Sequence, residues 1–244
     1  MTLNDIYHAI DPVALSLGPL QIRWYGLAYV AGFICAFLVI AKLSQRWKIR
    51  IDDDAFFTVV FCVIFGVILG GRLGYVLVYG DGYYLQHPEK ILAFNEGGMS
   101  FHGGLVGVII GGVIAAKITK IPFLTLADMG VVGVPIGLFF GRCANFINGE
   151  LWGAPTDMPW GVVFGGAAGT MPRHPSQLYE ALLEGVVLFI ILFALSRKTP
   201  ARPRGTFFGT FLLFYGLFRF TIEFIRQPDA QIGYLLGTHW FTMG

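Results

Sequence analysis

Charged residues are scarce in this chain. Only 13% of its 244 residues are Asp, Glu, Lys or Arg, well below the roughly 25% of an ordinary soluble domain, whereas 55% are hydrophobic. A soluble protein of this composition would have too little polar surface to face water. The formal net charge is only +2, and the sequence has no Lys/Arg-rich tract that could follow a phosphate backbone. We therefore expect lipid as the solvent and no nucleic acid as a partner.

The sequence also lacks patterns that bind metals or form disulfides. Cys35, Cys62 and Cys143 lie within or beside apolar stretches and form no CxxC pair. The five histidines are scattered, without metal-ligand spacing. We predict that the cysteines are small packing residues and that the protein needs neither a metal nor another cofactor.

Long apolar stretches are what the chain has instead. A membrane-spanning helix needs about 20 mostly apolar residues, and six stretches qualify. They lie near 20–41, 56–79, 101–119, 123–141, 176–196 and 205–226. The sequence therefore predicts an all-α polytopic membrane protein with about six transmembrane helices, forming a single integral membrane domain over residues 1–244.

Basic residues in alternate joints between these stretches predict the orientation. The joints at 42–54, 117–122 and 197–204 hold ten of the 17 Lys and Arg residues. Because cytoplasmic loops are rich in Lys and Arg, these joints are predicted to be cytoplasmic. Both chain ends and the Gly/Pro-rich segment 142–175 then face outward, which in a bacterium is the periplasm. That segment is predicted to be irregular, with short strands, and to be either a connector or a functional loop.

Glycines recur at four-residue spacing in three of the predicted helices. Residues four apart share one helix face, so each row forms a smooth groove. Such a groove permits tight helix packing or leaves room for a lipid chain. The rows are Gly66, Gly70, Gly74; Gly103, Gly107, Gly111; and Gly133, Gly137, Gly141.

The run GRCANFINGELWG, residues 141–153, places polar groups at the outer end of the fourth span. Charged residues in apolar spans are costly and usually functional. Arg142 offers a guanidinium that can bind a phosphate through two hydrogen bonds, with Asn145, Asn148 and Glu150 close behind it. The alternative is an interfacial arginine that reaches toward lipid headgroups.

Other polar residues lie in three further spans. His102, in SFHGGLVG, is a candidate general base or a structural residue. Tyr215, Arg219 and Glu223 form a stripe at four-residue spacing in the sixth span, which is either functional or a helix-joining salt bridge. Tyr25, in RWYGLAY, fits a site or an aromatic belt at the membrane surface.

At these residues a resemblance becomes specific. GRCANFINGELWG resembles the hallmark of the prolipoprotein diacylglyceryl transferase family and matches it at every fixed position. RWYGLAY, SFHGGLVG, HPSQLYEA and YGLFRFTIEFIRQPD resemble the family's other motifs in the same order. The similarity covers about residues 20–244. Members of this family normally continue past FTMG into a further helix, so seven helices are expected in the intact protein.

The resemblance implies an activity and a location. Family members transfer the diacylglyceryl group of phosphatidylglycerol to the lipobox cysteine of a preprolipoprotein, forming a thioether and releasing glycerol phosphate. This is the first step of bacterial lipoprotein maturation. Phosphatidylglycerol, the lipobox segment and membrane lipids are thus the expected partners. The expected location is the bacterial inner membrane, with the active site toward the periplasm.

The resemblance also implies roles for the marked residues. Arg142 and Arg219 would stabilise the leaving phosphate, and His102 would accept the thiol proton or orient the headgroup. Asn145, Asn148 and Glu150 would shape the site and orient Arg142. The predicted catalytic residues are His102, Arg142 and Arg219; those binding phosphatidylglycerol are Arg142, Arg219, Tyr25, Tyr215 and Asn145; the supporting ones are Asn148, Glu150, Gly153 and Glu223.

Three other functions compete with this one. A small polytopic transporter or channel would use the buried charges to line a path. A lipid-headgroup hydrolase is a second alternative, although the sequence has no GxSxG elbow. A structural scaffold is the third, but it leaves the intramembrane charges unexplained.

Overall fold

Helices make up most of the protein, as its apolar stretches predict. The computed structural model describes residues 2–18, 20–49, 51–94, 97–197 and 202–227. Arg50, residues 198–201 of the third basic joint and the terminal residues 228–244 lie outside these ranges. The α-helices are α1 (Leu3–Ala9), α2 (Trp24–Arg46), α3 (Asp53–Tyr79), α4 (Tyr83–Gln86), α5 (Phe101–Thr119), α6 (Phe123–Asn148), α7 (Ser176–Glu180), α8 (Leu188–Ser196) and α9 (Thr206–Glu223).

Each predicted span corresponds to a helical segment. Among the described residues, α2, α3, α5, α6 and the segment Ser176–Ser196 are long and apolar enough to cross a membrane. The last of these combines α7, a π-helical turn at Ala181–Val187 and α8. The sixth segment, α9, has 18 residues but falls short of the same hydropathy, because Arg219 and Glu223 lie within it. Many large apolar side chains on these helices are exposed, as expected for a lipid-facing surface.

Several helix boundaries differ from the predicted ones, and two of the differences matter for the site. Residues Leu20–Arg23 form a strand that pairs antiparallel with Val13–Leu17, so the first spanning helix starts only at Trp24. The fourth helix continues to Asn148, beyond the predicted end at 141. The irregular outer segment therefore begins after Asn148, and the first part of the predicted loop at 142–175 is helical.

The described chain forms two compact units. One comprises residues 2–47 together with 129–227, and the other comprises residues 48–128. In the second unit, α3 and α5 pack along their glycine rows: a Cβ at Gly107 would overlap the carbonyl group of Gly66, and one at Gly103 would overlap that of Gly70. The tight-packing interpretation is thus confirmed for these two rows. In the third row, a Cβ at Gly137 or Gly141 would meet no described atom within 4 Å.

Arg72 is a structural residue of the second unit. Its side chain is only 1% exposed, and its guanidinium donates to the carbonyl oxygens of Lys90 (2.7 Å), Ile91 (2.8 Å) and Gly98 (3.2 Å), and also to that of Gly97. Backbone carbonyls thus satisfy the buried cation, as burial of a charge requires. Arg72 thereby fixes the segment that leads into α5.

The outer segment of the first unit is ordered by its own small core. Phe146, Val162, Phe164 and Ala168 form a buried apolar cluster, against which Tyr7 of α1 packs. The Asn4 side chain accepts a hydrogen bond from the Val163 amide at 2.9 Å. Isolated β-bridges join residues 155 and 162 to residue 173, so the described segment has single bridges where short strands were expected. This packing holds the segment against α1 and the outer end of α6.

Candidate active site

Arg142 and Arg219 share one buried carboxylate. Arg142 Nε lies 2.7 Å from Glu180 Oε2, and Arg219 Nη1 lies 3.8 Å from Glu180 Oε1. Arg219 Nη2 is also 3.1 Å from Glu223 Oε2, one helical turn away on α9. The Glu180 side chain is 1% exposed, whereas that of Arg142 is 18% exposed. Residues from α6, α7 and α9 therefore form a chain of alternating charges, which we call the arginine cluster: Arg142, Glu180, Arg219 and Glu223.

The arginine cluster is close-packed but incompletely hydrogen-bonded. Arg142 Nε and Glu180 Oε2 are near each other, yet neither atom has a hydrogen bond of suitable geometry, and the same holds for Arg219 Nη1 and Nη2. The ion pair with Glu180 is made through Nε of Arg142. The two terminal nitrogens of a guanidinium carry paired, parallel N–H groups, which suit the oxygens of a phosphate.

Tyr215 faces the arginine cluster from α9. Its ring stacks on Phe211 at 5.4 Å between centroids. Its hydroxyl interacts electrostatically with Arg142, Arg219 and Glu180. The structure thus brings together three of the residues that were predicted to bind phosphatidylglycerol. They are Arg142, Arg219 and Tyr215, and Glu223 lies beside them.

The remaining polar residues of the hallmark run bind one another. The side-chain amides of Asn145 and Asn148 donate to Glu150 Oε1 at 3.3 and 3.0 Å. The backbone turns back just after α6, where Gly149 has a φ of +68° that glycine adopts without strain. The Gln177 side chain, at 0% exposure, donates to the Glu150 carbonyl at 2.6 Å. Among the described contacts of Arg142, the anchoring carboxylate is Glu180, whereas the sequence had suggested Asn145, Asn148 and Glu150.

Gly153 is a point of close backbone approach. A Cβ there would lie 2.6 Å from the Ile225 carbonyl oxygen and 2.8 Å from His174 Cβ, distances that require displacement. The Gly153 amide donates to the His174 carbonyl at 2.9 Å, and a β-bridge joins Gly153 to Arg226. Gly153 therefore allows the outer segment to pack against the end of α9.

Tyr25 lies in the first turn of α2. Its hydroxyl is 3.2 Å from that of Tyr29, and the two rings are 5.0 Å apart. The Tyr25 hydroxyl also interacts electrostatically with Glu150. Tyr25 thus faces the acidic end of the hallmark run, in the same unit as the arginine cluster.

His102 belongs to the second unit. It occupies the first turn of α5, which Ser100 caps by accepting a hydrogen bond from the Gly103 amide at 3.2 Å. The His102 side chain is exposed and packs edge-on against Phe101, with 5.6 Å between ring centroids. Its role as proton acceptor stays a prediction.

His174 lies in a polar network just before α7. Its Nδ1 is 3.2 Å from the Tyr179 hydroxyl, which accepts a hydrogen bond from Trp160 Nε1 at 2.6 Å. Burial lowers the pKa of His174 below its usual value. The neutral imidazole is therefore favoured, and the network joins the outer segment to α7. Within the part of the chain that the structure describes, no three His, Cys, Asp or Glu residues form a group that could bind a metal ion.

Sequence reasoning missed two acidic residues, Glu180 and Glu184. Both lie in the helical segment at 176–196, and their side chains are 1% and 0% exposed. The rule that charged groups inside an apolar span are functional applied to them as it did to Arg219. Glu180 lies in HPSQLYEA, but its partners on α6 and α9 are far away in sequence, so no local spacing indicates its role.

Comparison with known proteins matches this chain to one family. Residues 12–244 match the sequence model of the family described as prolipoprotein diacylglyceryl transferase. Three similar proteins carry the name phosphatidylglycerol–prolipoprotein diacylglyceryl transferase. The one from Geobacter sulfurreducens is 55% identical over 96% of this chain and 88% of its own length. Those from Oleidesulfovibrio alaskensis and Cupriavidus metallidurans are 52% and 51% identical, over 98% and 94% of this chain and 88% and 86% of their own lengths. The chain therefore belongs to the prolipoprotein diacylglyceryl transferase family.

Proposed function

We propose that this family member transfers the diacylglyceryl group of phosphatidylglycerol to the lipobox cysteine of a preprolipoprotein, as the first step of lipoprotein maturation. The observation that carries the proposal is the pair of guanidinium groups, from α6 and α9, that meet at the Glu180 carboxylate within a helical membrane protein. Names of relatives at 50% identity or more point to the same two substrates. Family membership favours this reaction over the transporter alternative.

The reaction forms one bond and breaks one. The cysteine thiolate attacks the CH2 carbon that joins the diacylglyceryl group of phosphatidylglycerol to the phosphate, and a thioether S–C bond forms. The C–O bond to the phosphate breaks, and its electron pair leaves with glycerol phosphate. The thiol proton must be removed, since the thiolate is the nucleophile, and His102 is the proposed acceptor.

Arg142 and Arg219 are proposed to stabilise the leaving phosphate. The phosphate gains negative charge as the C–O bond breaks, so fixed cations bind the transition state more strongly than the ground state. Glu180 holds Arg142 through Nε at 2.7 Å, which leaves the terminal nitrogens to bind phosphate oxygens. Glu223, at 3.1 Å, orients Arg219 in the same way.

The other predicted residues are proposed to complete the site. Tyr215 and Tyr25 would hydrogen-bond to the phosphate or the glycerol, and Asn145 would contact the lipid headgroup. Asn148 and Glu150 would fix the turn after α6, because both join Asn145 in one hydrogen-bonded group. Gly153 supports the site by letting the outer segment approach α9 closely.

The location is proposed from charge distribution. The protein is a multi-pass membrane protein. We propose that it functions as a single domain in the bacterial inner membrane, with the arginine cluster toward the periplasm. Lipid would enter sideways from the membrane, and the lipobox segment would approach in the outer leaflet.

A reconstituted transfer assay tests the proposal. Purified protein in liposomes with phosphatidylglycerol and a lipobox peptide should yield thioether-linked peptide and glycerol phosphate in equal amounts. Arg142→Ala should lower turnover by about 100-fold or more, the usual cost of one transition-state donor. Arg204→Ala is the matched control, because Arg204 is exposed and outside the site. Undiminished turnover in Arg142→Ala would refute the phosphate role, and solute flux without a transfer product would favour a transporter.

A further inference from the structure

Glu184 is the most deeply buried acid beside the arginine cluster. Its side chain is 0% exposed, and neither carboxyl oxygen has a hydrogen-bond partner among the described residues. It follows Glu180 by four residues on the same helical segment. Buried polar groups are nearly always hydrogen-bonded, so an exception calls for a functional explanation. The mechanism above makes no use of this residue.

The backbone around Glu184 is locally unusual. Residues Ala181–Val187 form a π-helical turn between α7 and α8, a feature that occurs frequently at functional sites. Gly185 packs tightly there, since a Cβ would lie 2.8 Å from Phe139 Cβ. Phe139 precedes Arg142 by three residues on α6, so the two share one helix face. This contact brings the π-helical turn, and with it Glu184, beside Arg142.

The charged groups that face the Glu184 carboxyl come from three helical segments. They are Glu180 on its own segment, Arg142 from α6, and Arg219 and Arg226 from α9 and its end. The Tyr215 hydroxyl on α9 also interacts with Glu184. Glu184 is therefore a second acid that interacts electrostatically with the two guanidinium groups that share Glu180.

Unused donors and acceptors lie together in this region. Arg219 Nη1 and Nη2 have no aligned hydrogen bond, and Glu184 Oε1 and Oε2 have none either. The contact between Arg219 and Glu180 is long, at 3.8 Å. A phosphate that binds Arg219 competes with Glu180 for Nη1, because each is an anion for the same donor. Glu223 still holds Nη2 of Arg219 at 3.1 Å, so the Nη1 side of the guanidinium is the one that needs a second acid.

We propose that Glu184 is a positioning residue of the transfer reaction, which accepts hydrogen bonds from the Arg219 guanidinium when the lipid phosphate displaces Glu180. This inference rests on the proposed function. Arg219 thus moves between two acids one turn apart, and it remains oriented toward the phosphate as charge develops there. Glu184 contacts neither substrate and acts through Arg219.

Replacement of Glu184 separates this role from a structural one. Glu184→Leu substitutes an apolar side chain of similar size for an acid without a hydrogen bond, so the melting temperature should stay the same or rise. The kcat should nevertheless fall by about 10- to 100-fold, the scale expected for a small displacement of a catalytic group, while KM for phosphatidylglycerol changes little. Glu184→Gln, which keeps one carbonyl acceptor, should retain more activity than Glu184→Leu.

Controls and a double variant make the outcome decisive. Leu182→Ala changes an exposed side chain in the same π-helical turn and should leave kcat unchanged. Because Arg219 would use both acids in turn, the losses in Glu180→Gln and Glu184→Gln should be non-additive in the double variant. A purely structural role would lower the melting temperature and leave kcat per folded molecule intact.

Two failures can be told apart. If the wild type and Leu182→Ala transfer lipid but folded Glu184→Leu does so at the full rate, the inference about Glu184 is overturned and the proposed function stands. If the wild type releases no glycerol phosphate, the proposed function itself fails. Should Glu184→Leu not fold, Glu184→Gln decides the question by the same comparison of kcat with melting temperature.

Discussion

At the residue scale, the shared carboxylate of Glu180 determines how the two arginines are presented. A guanidinium buried in an apolar region needs an anionic partner, and one carboxylate serves both Arg142 and Arg219. Since Glu180 holds Arg142 through Nε, the ion pair orients the whole guanidinium group. The position of the cations, and not merely their charge, is what this contact provides.

Neutralising Glu180 should therefore impair the reaction. In Glu180→Gln the side chain keeps its size but loses the charge that aligns both guanidiniums. We expect turnover to fall by about 10- to 100-fold, measured as glycerol phosphate release from phosphatidylglycerol with a lipobox peptide. Glu89→Gln, which changes an acid with a 64% exposed side chain, serves as the control. Equal turnover in both variants would show that the shared carboxylate is dispensable.

At the element scale, glycine rows decide how closely α3 and α5 approach. The helices touch backbone to backbone where the rows meet, so these positions have no room for a side chain. The sequence alone was compatible with two interpretations of these rows, tight helix packing and a groove for a lipid chain. The partner helix fills that space for Gly66–Gly74 and Gly103–Gly111.

A methyl group at this contact should destabilise the protein. Gly107→Ala would place its Cβ against the Gly66 carbonyl group. We expect the free energy of unfolding to fall by about 1–3 kcal/mol, the usual cost of overpacking. Gly104→Ala is the matched control on the same helix, because its Cβ would lie at an ordinary 3.7 Å from the Val67 carbonyl oxygen. Thermal unfolding in detergent measures both, and equal melting temperatures would contradict the packing assignment.

Acidic pH should loosen the outer segment of the first unit. Burial lowers the pKa of His174 in the folded protein, whereas the unfolded chain has a value of about 6.5. The unfolded state therefore takes up the proton more readily, and stability present above pH 6.5 is lost as the pH falls through the folded pKa. Proteolysis of the segment at 149–175 should accelerate between about pH 7 and 5. His174→Gln should remove much of this dependence, and an unchanged pH response in that variant would exclude His174 as its source.

At the scale of the whole molecule, the distribution of basic residues predicts which ends of the helices face the cytoplasm. Positive charge at alternate joints predicts an orientation in which the arginine cluster lies toward the periplasm. The proposed function requires this orientation, because the proposed peptide substrate would approach from that side.

Cysteine labelling tests the orientation. A membrane-impermeant maleimide should label Asp157→Cys in intact spheroplasts, because residue 157 is exposed in the outer segment. Arg204→Cys, in the third basic joint, should react only after permeabilisation. Cys35, Cys62 and Cys143 are partly buried and should be replaced in the parent protein to remove background. The reverse labelling pattern would invert the proposed topology.

Hydropathy and motif residues are enough to predict the class of protein, the helical segments and the family. Apolar length predicts a spanning helix directly, because lipid requires backbone groups to be satisfied within the segment, and each predicted span is helical in the structure. The hallmark run was enough to identify the family, which the comparisons confirm. Arg142 and Arg219 were also predictable as site residues, because charged side chains are rare in apolar spans.

Which of these charged side chains contact one another is visible only in the folded protein. The partner of Arg142 is Glu180, 38 positions away in the sequence, and no local spacing links two residues on separate helices. The hydrogen bonds that join Asn145 and Asn148 to Glu150 likewise required the turn after α6. Side-chain pairing depends on how helices pack, and hydrophobicity sets the length of a helix without setting its rotation. For that reason the roles of Glu180 and Glu184 depend on how α6 and α9 pack against their helical segment.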